Sequence, residues 1–221
     1  MLRDWLKWLL FEVGAAYYTR KLAAGPEADL RREFADFLDT KPGERVLDVG
    51  CGPGHLARWL AGRGCQVTGV DRGWRITRIA RELAAREGPP VVIERAPADR
   101  LPFPNGTFDL TIATTVIYFV EEPEAVLREM VRVTRAGGRV ATLDPHASMS
   151  TVTVRGYCAR KRLNQEDTEK LIAWARASAH CRLFEETELR SLLTRAGLAQ
   201  LDLERRLDGL VWFARGVVSG L

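Results

Sequence analysis

Asp48, Gly50, Gly52, Gly54, Asp71 and Asp99 are the residues whose types and spacing could do chemistry. The first four belong to the stretch Val46–Leu47–Asp48–Val49–Gly50–Cys51–Gly52–Pro53–Gly54–His55. An apolar run ends on an acidic residue, glycines follow at alternate positions, and a helical pattern opens at His55. Glycine lets the backbone take positive φ and lets a ligand approach the main chain closely. The N-terminus of the following helix offers unpaired N–H groups to ligand oxygens. Such a turn reads as a nucleotide-cofactor site.

The spacing separates two cofactor classes. The dinucleotide fingerprint is G-x-G-x-x-G/A. Counted from Gly50, its last position falls on His55, and Gly54 comes one residue early. Asp48 precedes the first glycine, where a carboxylate would repel a pyrophosphate and suit a cation. S-adenosylmethionine carries an ammonium and a sulfonium and has no phosphate. The turn therefore reads as an S-adenosylmethionine site built on Asp48, Gly50, Cys51, Gly52 and Gly54. Asp71 can accept both ribose hydroxyls of an adenosine, and Asp99 can accept from the adenine amino group. The plainer roles are a solvated strand end for Asp71 and a helix cap for Asp99.

The elements that must position these residues alternate. Strands are expected at Arg45–Gly50, Cys65–Asp71, Val91–Glu94, Thr107–Thr114 and Arg139–Asp144. Helices are expected at His55–Gly62, Trp74–Arg86 and Glu122–Thr134, with glycine or proline at their ends. That alternation requires a parallel sheet with crossover helices. Ser148–Leu183 reads as helical with a cap at Asn164, and Glu188–Ala196 as a further helix. Ala199–Arg205 and Leu210–Arg215 alternate as strands around an Asp208-Gly209 turn, which makes the last strand antiparallel. In such a sheet ligands bind beyond the carboxyl ends of the strands, and the singled-out residues all fall there. Thr114 ends the fourth strand and faces the cofactor from the far side.

The chain of 221 residues is long enough for one domain with a sizeable core. Its 46% hydrophobic and 28% charged content is that of an ordinary globular protein. A net charge of +4, spread apart from a cluster at Arg155, Arg160, Lys161 and Arg162, gives no nucleic-acid signature. Cys51, Cys65, Cys158 and Cys181 form no CxxC pair, so no metal site and free thiols in a reducing cytoplasm are expected. The segment Leu2–Val13 is helical in spacing but too short and too charged to span a bilayer. It reads as a lid, or as a peripheral membrane contact through Trp5 and Trp8.

Four segments carry a family resemblance: VLDVGCGPGHLA, VTGVDR, APADRLPFPNGTFDLTIATTVIYFV and LREMVRVTRAGGRVATLDP. The later FEETELRSLLTRAGL also fits. From about Gly43 onward the chain resembles a class I S-adenosylmethionine-dependent methyltransferase of the small-molecule type, similar to those of ubiquinone and menaquinone biosynthesis. The resemblance implies an α/β fold with a Rossmann-like, doubly wound, seven-stranded sheet, the last strand antiparallel, and helical lid additions. It implies cofactor contacts at Gly50, Gly52, Asp71, Arg72, Ala98, Asp99 and Thr114. Relatives often carry a His-rich stretch after the fourth strand, where this chain has Ile117-Tyr118-Phe119.

The division expected is a helical lid over residues 1–42 and a methyltransferase domain over 43–221, with a helical insertion at about 145–186. Methyl transfer is an in-line displacement at a sulfonium, so the protein supplies position and a dry pocket. An acceptor that starts protonated needs a base. His146 is the first candidate and Tyr18 an alternative, with Tyr17 and Tyr118 beside it. The apolar lid residues point to an apolar or lipid-like small-molecule acceptor. A cytoplasmic protein is expected, and a homodimer is compatible with the sequence. The alternatives are an inactive cofactor-binding regulatory or partner subunit, and a nicotinamide-dependent oxidoreductase, against which His55 and Asp48 argue.

Overall fold

A computed structural model describes Ala15, Thr19, Arg20 and residues 23–86 and 88–219. Of the N-terminal helix expected over Trp5–Tyr18, all but Ala15 lies outside the described residues, Trp5, Trp8, Tyr17 and Tyr18 included. The strands are β1 (Arg45–Val49), β2 (Gln66–Asp71), β3 (Val92–Arg95), β4 (Phe108–Thr114), β5 (Thr134–Pro145), β6 (Leu198–Arg206) and β7 (Val211–Val218). The helices are α1 (Pro26–Phe37), α2 (His55–Gly62), α3 (Trp74–Arg86), α4 (Pro123–Val133), α5 (Thr151–Lys161), α6 (Gln165–Ser178) and α7 (Glu186–Arg195).

All seven strands form one sheet in the order β3-β2-β1-β4-β5-β7-β6. The first five pair in parallel, and β7 runs antiparallel to both β5 and β6. The doubly wound sheet with its reversed last strand is thus the one the sequence implies. The order reverses between β1 and β4, which opens a crevice beyond their carboxyl ends.

Alternation along the strands splits the core into two layers. Val46, Leu110, Ile112, Leu143 and Phe213 pack on one face with α1, α2, α5 and α6. Leu47, Val49, Ala113, Val140 and Trp212 pack on the other with α4 and α7. The central strands are buried on both faces, so they read as nearly continuous apolar runs. Asp48, Thr111, Thr114, Thr134, Thr142 and Asp144 are the buried polar exceptions on β1, β4 and β5.

Most element ends shift by a residue or two from the sequence reading, β7 runs on to Val218, and three further differences stand out. β5 begins at Thr134, because Thr134 already pairs with Phe108 before the register shifts. Helix α7 begins at Glu186 rather than Glu188. α1, grouped with the lid in the sequence, buries Leu30 and Phe34 in the core and forms part of the helical layer. Its 12 residues span about 18 Å, close to the roughly 17 Å of the five-residue β1. Arg139, on β5, donates to the Asp39 carbonyl at 3.2 Å, which fixes the end of α1 at the amino edge of the sheet. Its beginning therefore lies at the carboxyl edge.

The expected cap at Asn164 forms: its side chain accepts from the Asp167 N–H at 2.8 Å. Ser150 caps α5 with a capping box to Thr153. Together α5 and α6 make a helical hairpin after β5, at the place of the expected insertion.

Candidate functional site

The glycine turn is fastened to β2 before any ligand is considered. The N–H groups of Gly50 and Cys51 both donate to the Val70 carbonyl, at 2.8 and 2.9 Å. Gly54 closes the turn on the Cys51 carbonyl at 2.9 Å. Gly50, Gly52 and Gly54 all take positive φ, at 69°, 54° and 76°. Their surroundings differ. A Cβ on Gly50 would run into the Val116 side chain, whereas one on Gly52 would meet nothing within 4 Å. Gly52 therefore faces the open space of the crevice. No side chain caps α2.

Cys51 is buried beside Ala80 and Ile93. It packs against Gly69, where a Cβ would lie 2.9 Å from the Cys51 Sγ. Burial and the neighbouring carboxylates of Asp48 and Asp71 push the Cys51 thiol well above its usual range. Cys51 is thus a packing residue under the turn.

Asp71 joins the turn to the end of β2. One carboxylate oxygen accepts the Gly52 N–H at 3.1 Å, and the other accepts the Gly73 N–H at 2.9 Å. These bonds hold the carboxylate between the glycine turn and the end of β2. Asp48 is almost fully buried on β1, and its Oδ1 has no hydrogen-bond partner. Burial raises its pKa to about 7, with Arg31 opposing and Asp71 adding to the rise. A buried, unpartnered carboxylate oxygen near neutrality is an incomplete site for a cation.

The other expected contacts ring the same edge. Arg72 is exposed directly after β2, and Ala98 and Asp99 follow β3, half-buried and exposed respectively. The Ala96 N–H donates to the Asp71 carbonyl at 3.1 Å, tying that loop to β2. Thr114 is buried at the end of β4, and Thr115 follows it in the left-handed region with φ 59°. Val116, next along, is the residue that Gly50 must accommodate.

His146 directly follows the carboxyl end of β5, two strands along the sheet from β1. Its ring leans on Trp212 at 5.1 Å between centroids. Nδ1 accepts the Ser148 N–H at 2.8 Å, and Nε2 faces the Glu185 carboxylate at 3.5 Å. Burial, aided by Arg205, lowers its pKa against the pull of Glu185. These neighbours are Ser148 in the loop after β5, Glu185 just before α7, Trp212 of β7 and Arg205 of β6.

Two residues of the site escaped the sequence reading. Arg31 of α1 is the positive charge that opposes protonation of Asp48. Asp144, fully buried near the end of β5, accepts the Tyr118 N–H at 3.2 Å. Burial pushes its pKa well above the ordinary carboxylate range. It anchors the loop after β4 that carries Val116. An Asp-Pro pair closing a strand was the only signal for it.

The residues present fit S-adenosylmethionine. Asp48 offers a buried acceptor for a cation, Gly52 leaves space against the main chain, and Asp71 presents a carboxylate for a ribose. Among the described residues no cluster could hold a metal ion.

Comparison with known proteins agrees with this geometry. The family model described as a methyltransferase domain matches residues 47–142, the span from β1 to β5. The 2-phytyl-1,4-naphtoquinone methyltransferase of Synechococcus elongatus is 37% identical over 125 residues, 54% of this chain and 54% of that protein. The malonyl-[acyl-carrier protein] O-methyltransferase of Pseudescherichia vulneris is 30% identical over 174 residues, 73% of this chain and 68% of that protein. The match thus spans about half the length of the first of these relatives. Among solved structures, phosphoethanolamine N-methyltransferase 2 of Haemonchus contortus with S-adenosyl-L-methionine superposes with a TM-score of 0.72. It is 16% identical, over 95% of this chain and 57% of that one, a likeness of fold. With the family's domain laid over the strands that carry the turn, and one relative matched over two thirds of its length, the chain belongs to the S-adenosylmethionine-dependent methyltransferase family.

Proposed function

We propose that this protein transfers the methyl group of S-adenosylmethionine to a small molecule with an apolar portion. The observation that carries the reading is the pairing of Gly52, open toward the crevice, with an Asp71 carboxylate already oriented beside it. When bound, the cofactor supplies the electrophilic methyl group. Asp48 would hold the ammonium end, Asp71 the ribose, and Ala98 with Asp99 the base, while Thr114 would close the side toward β4. Arg72 would sit at the rim.

The residues do positioning and exclude water, which is what a displacement at a sulfonium requires. His146 has its nitrogens facing Ser148 and Glu185. Tyr18 lies outside the described residues. The proposal therefore routes no proton through either of them. The acceptor class rests on the relatives, one of which is named for a phytyl naphthoquinone. The division into a lid before residue 43 and an insertion at about 145–186 belongs to the same reading, with the lid limited to what precedes α1.

Calorimetric titration with S-adenosylhomocysteine tests it. Micromolar binding by the wild type, lost in Asp71→Ala, is the expected result. A wild type that binds neither S-adenosylmethionine nor its product would sink the proposal. Labelled S-adenosylmethionine incubated with the protein and a quinone-type acceptor then separates catalysis from mere binding.

A further inference from the structure

A groove of about 970 Å³ runs between Arg20, α5 and α6. It lies at the carboxyl edge of the sheet, on the same side as the glycine turn. Thr19, next to Arg20, accepts through its carbonyl from His55 Nε2 at 3.1 Å, and His55 opens the helix after the turn. Gly25, at the start of α1, abuts the other wall: a Cβ there would lie 2.6 Å from Asp167 Oδ1 and 3.4 Å from Lys170 Nζ. The groove thus adjoins the crevice where the cofactor is proposed to sit.

Its charge is unbalanced. Arg20, Arg155 and Arg176 come from separate segments and converge on the groove. None of them makes an ion pair with a described residue. Lys170 also lines it, held by Glu166 at 2.7 Å and Asp167 at 3.6 Å. Of the two lining glutamates, Glu166 is paired with Lys170, and Glu169 accepts only from the neutral Gln165 amide at 2.9 Å, so the lining carries four cationic against two anionic side chains. Elsewhere on the same hairpin two of three cations are matched, and Arg162 in the turn makes no ion pair with a described residue. Arg160 and Lys161 of α5 share Asp208, at 3.2 and 3.3 Å. A solvated helix face would not gather arginines from separate segments around one hollow. Guanidinium groups present planar forks of donors that suit phosphate oxygens, and the volume suits a small molecule.

We propose that this groove binds a phosphate group carried by the methyl acceptor, with Arg20, Arg155 and Arg176 as its counter-charge. The inference rests on the methyltransferase reading and gives its acceptor an anionic end beside the apolar one. The phosphate belongs either to a soluble ester or to a lipid headgroup.

The test uses the full chain, Arg155→Ala/Arg176→Ala, and Arg155→Lys/Arg176→Lys. Both positions are exposed, so the fold should persist. Inorganic phosphate is titrated calorimetrically. Phosphatidylcholine vesicles with and without phosphatidic acid are tested by sedimentation, and S-adenosylhomocysteine is titrated in parallel. Phosphate or phosphatidic-acid binding should weaken by about tenfold or more in the alanine variant and in part in the lysine variant, with the nucleoside unaffected. Arginine-dependent binding of inorganic phosphate assigns a soluble ester, and arginine-dependent binding of the acidic vesicles alone assigns a lipid headgroup. Equal binding by wild type and the alanine variant, or none of either probe by the wild type, overturns the inference. Arginine-dependent phosphate binding by a protein that ignores S-adenosylhomocysteine would instead overturn the methyltransferase reading and leave the groove's chemistry standing.

Discussion

Gly50 and Gly52 share a left-handed backbone but answer to different neighbours. Alanine at either position costs about 1–2 kcal/mol of backbone strain. At position 50 the added methyl also strikes Val116, so Gly50→Ala should lower the melting temperature clearly further than Gly52→Ala. At position 52 the methyl points into open space, so Gly52→Ala should keep most of its stability and lose S-adenosylhomocysteine affinity by tenfold or more. Comparing melting curves and titrations of the two variants checks both statements.

Asp48 makes a second contrast, in pH. With its pKa raised to about 7, it ionises across neutrality, and only the ionised form attracts a cation. Affinity for S-adenosylmethionine should therefore rise with pH through about 7, and Asp48→Asn should flatten that dependence. Stability runs the other way. A carboxyl whose native pKa is raised gives its full contribution below the unfolded value near 4, and that contribution is lost as pH rises through about 7. The glycines, Asp48 and Asp71 were legible because their chemistry follows from residue type and local spacing. Arg31 was not, because only the packing of α1 against β1 brings it near Asp48. For His146, counting past a strand end found the right loop. It could not reveal that Ser148 and Glu185 meet the two ring nitrogens.

At the scale of elements, the loop between β4 and α4 hangs on the end of β5. Asp144 accepts the Tyr118 N–H from within the core, and an apolar replacement would remove that buried acceptor. Asp144→Ala should cost about 1–3 kcal/mol, read from chemical denaturation. Asp144→Asn, which keeps an acceptor oxygen for the Tyr118 N–H, should cost less. An equal loss in both would show that the hydrogen bond to the loop is not what matters. The parallel strands and crossover helices were legible from apolar runs and punctuating glycines. The early start of β5 was not, since Arg135–Gly138 reads as a turn and only the Phe108 pairing extends the strand. Nor was the burial of α1, whose apolar spacing looks the same against a sheet as against a lid.

For the molecule as a whole, the proposed binding residues cluster on one edge of a single sheet, and binding there should tighten the entire fold. S-adenosylhomocysteine at a hundred times its dissociation constant should add about 2.7 kcal/mol to the unfolding free energy. The melting temperature should rise with ligand concentration in the wild type and stay flat in Asp71→Ala. No helix among the described residues is long and apolar enough to cross a membrane.

The place of β7 bears on synthesis as well as stability. Although it is last in sequence, it is an interior strand, slotted between β5 and β6. Trp212 and Phe213, adjacent on it, plug opposite layers of the core. While the chain is still emerging from the ribosome, β5 must wait with one edge unpaired until residues as late as Val218 are clear of the exit tunnel. A stalled or clipped chain would present that bare edge to its neighbours, a ready template for aggregation.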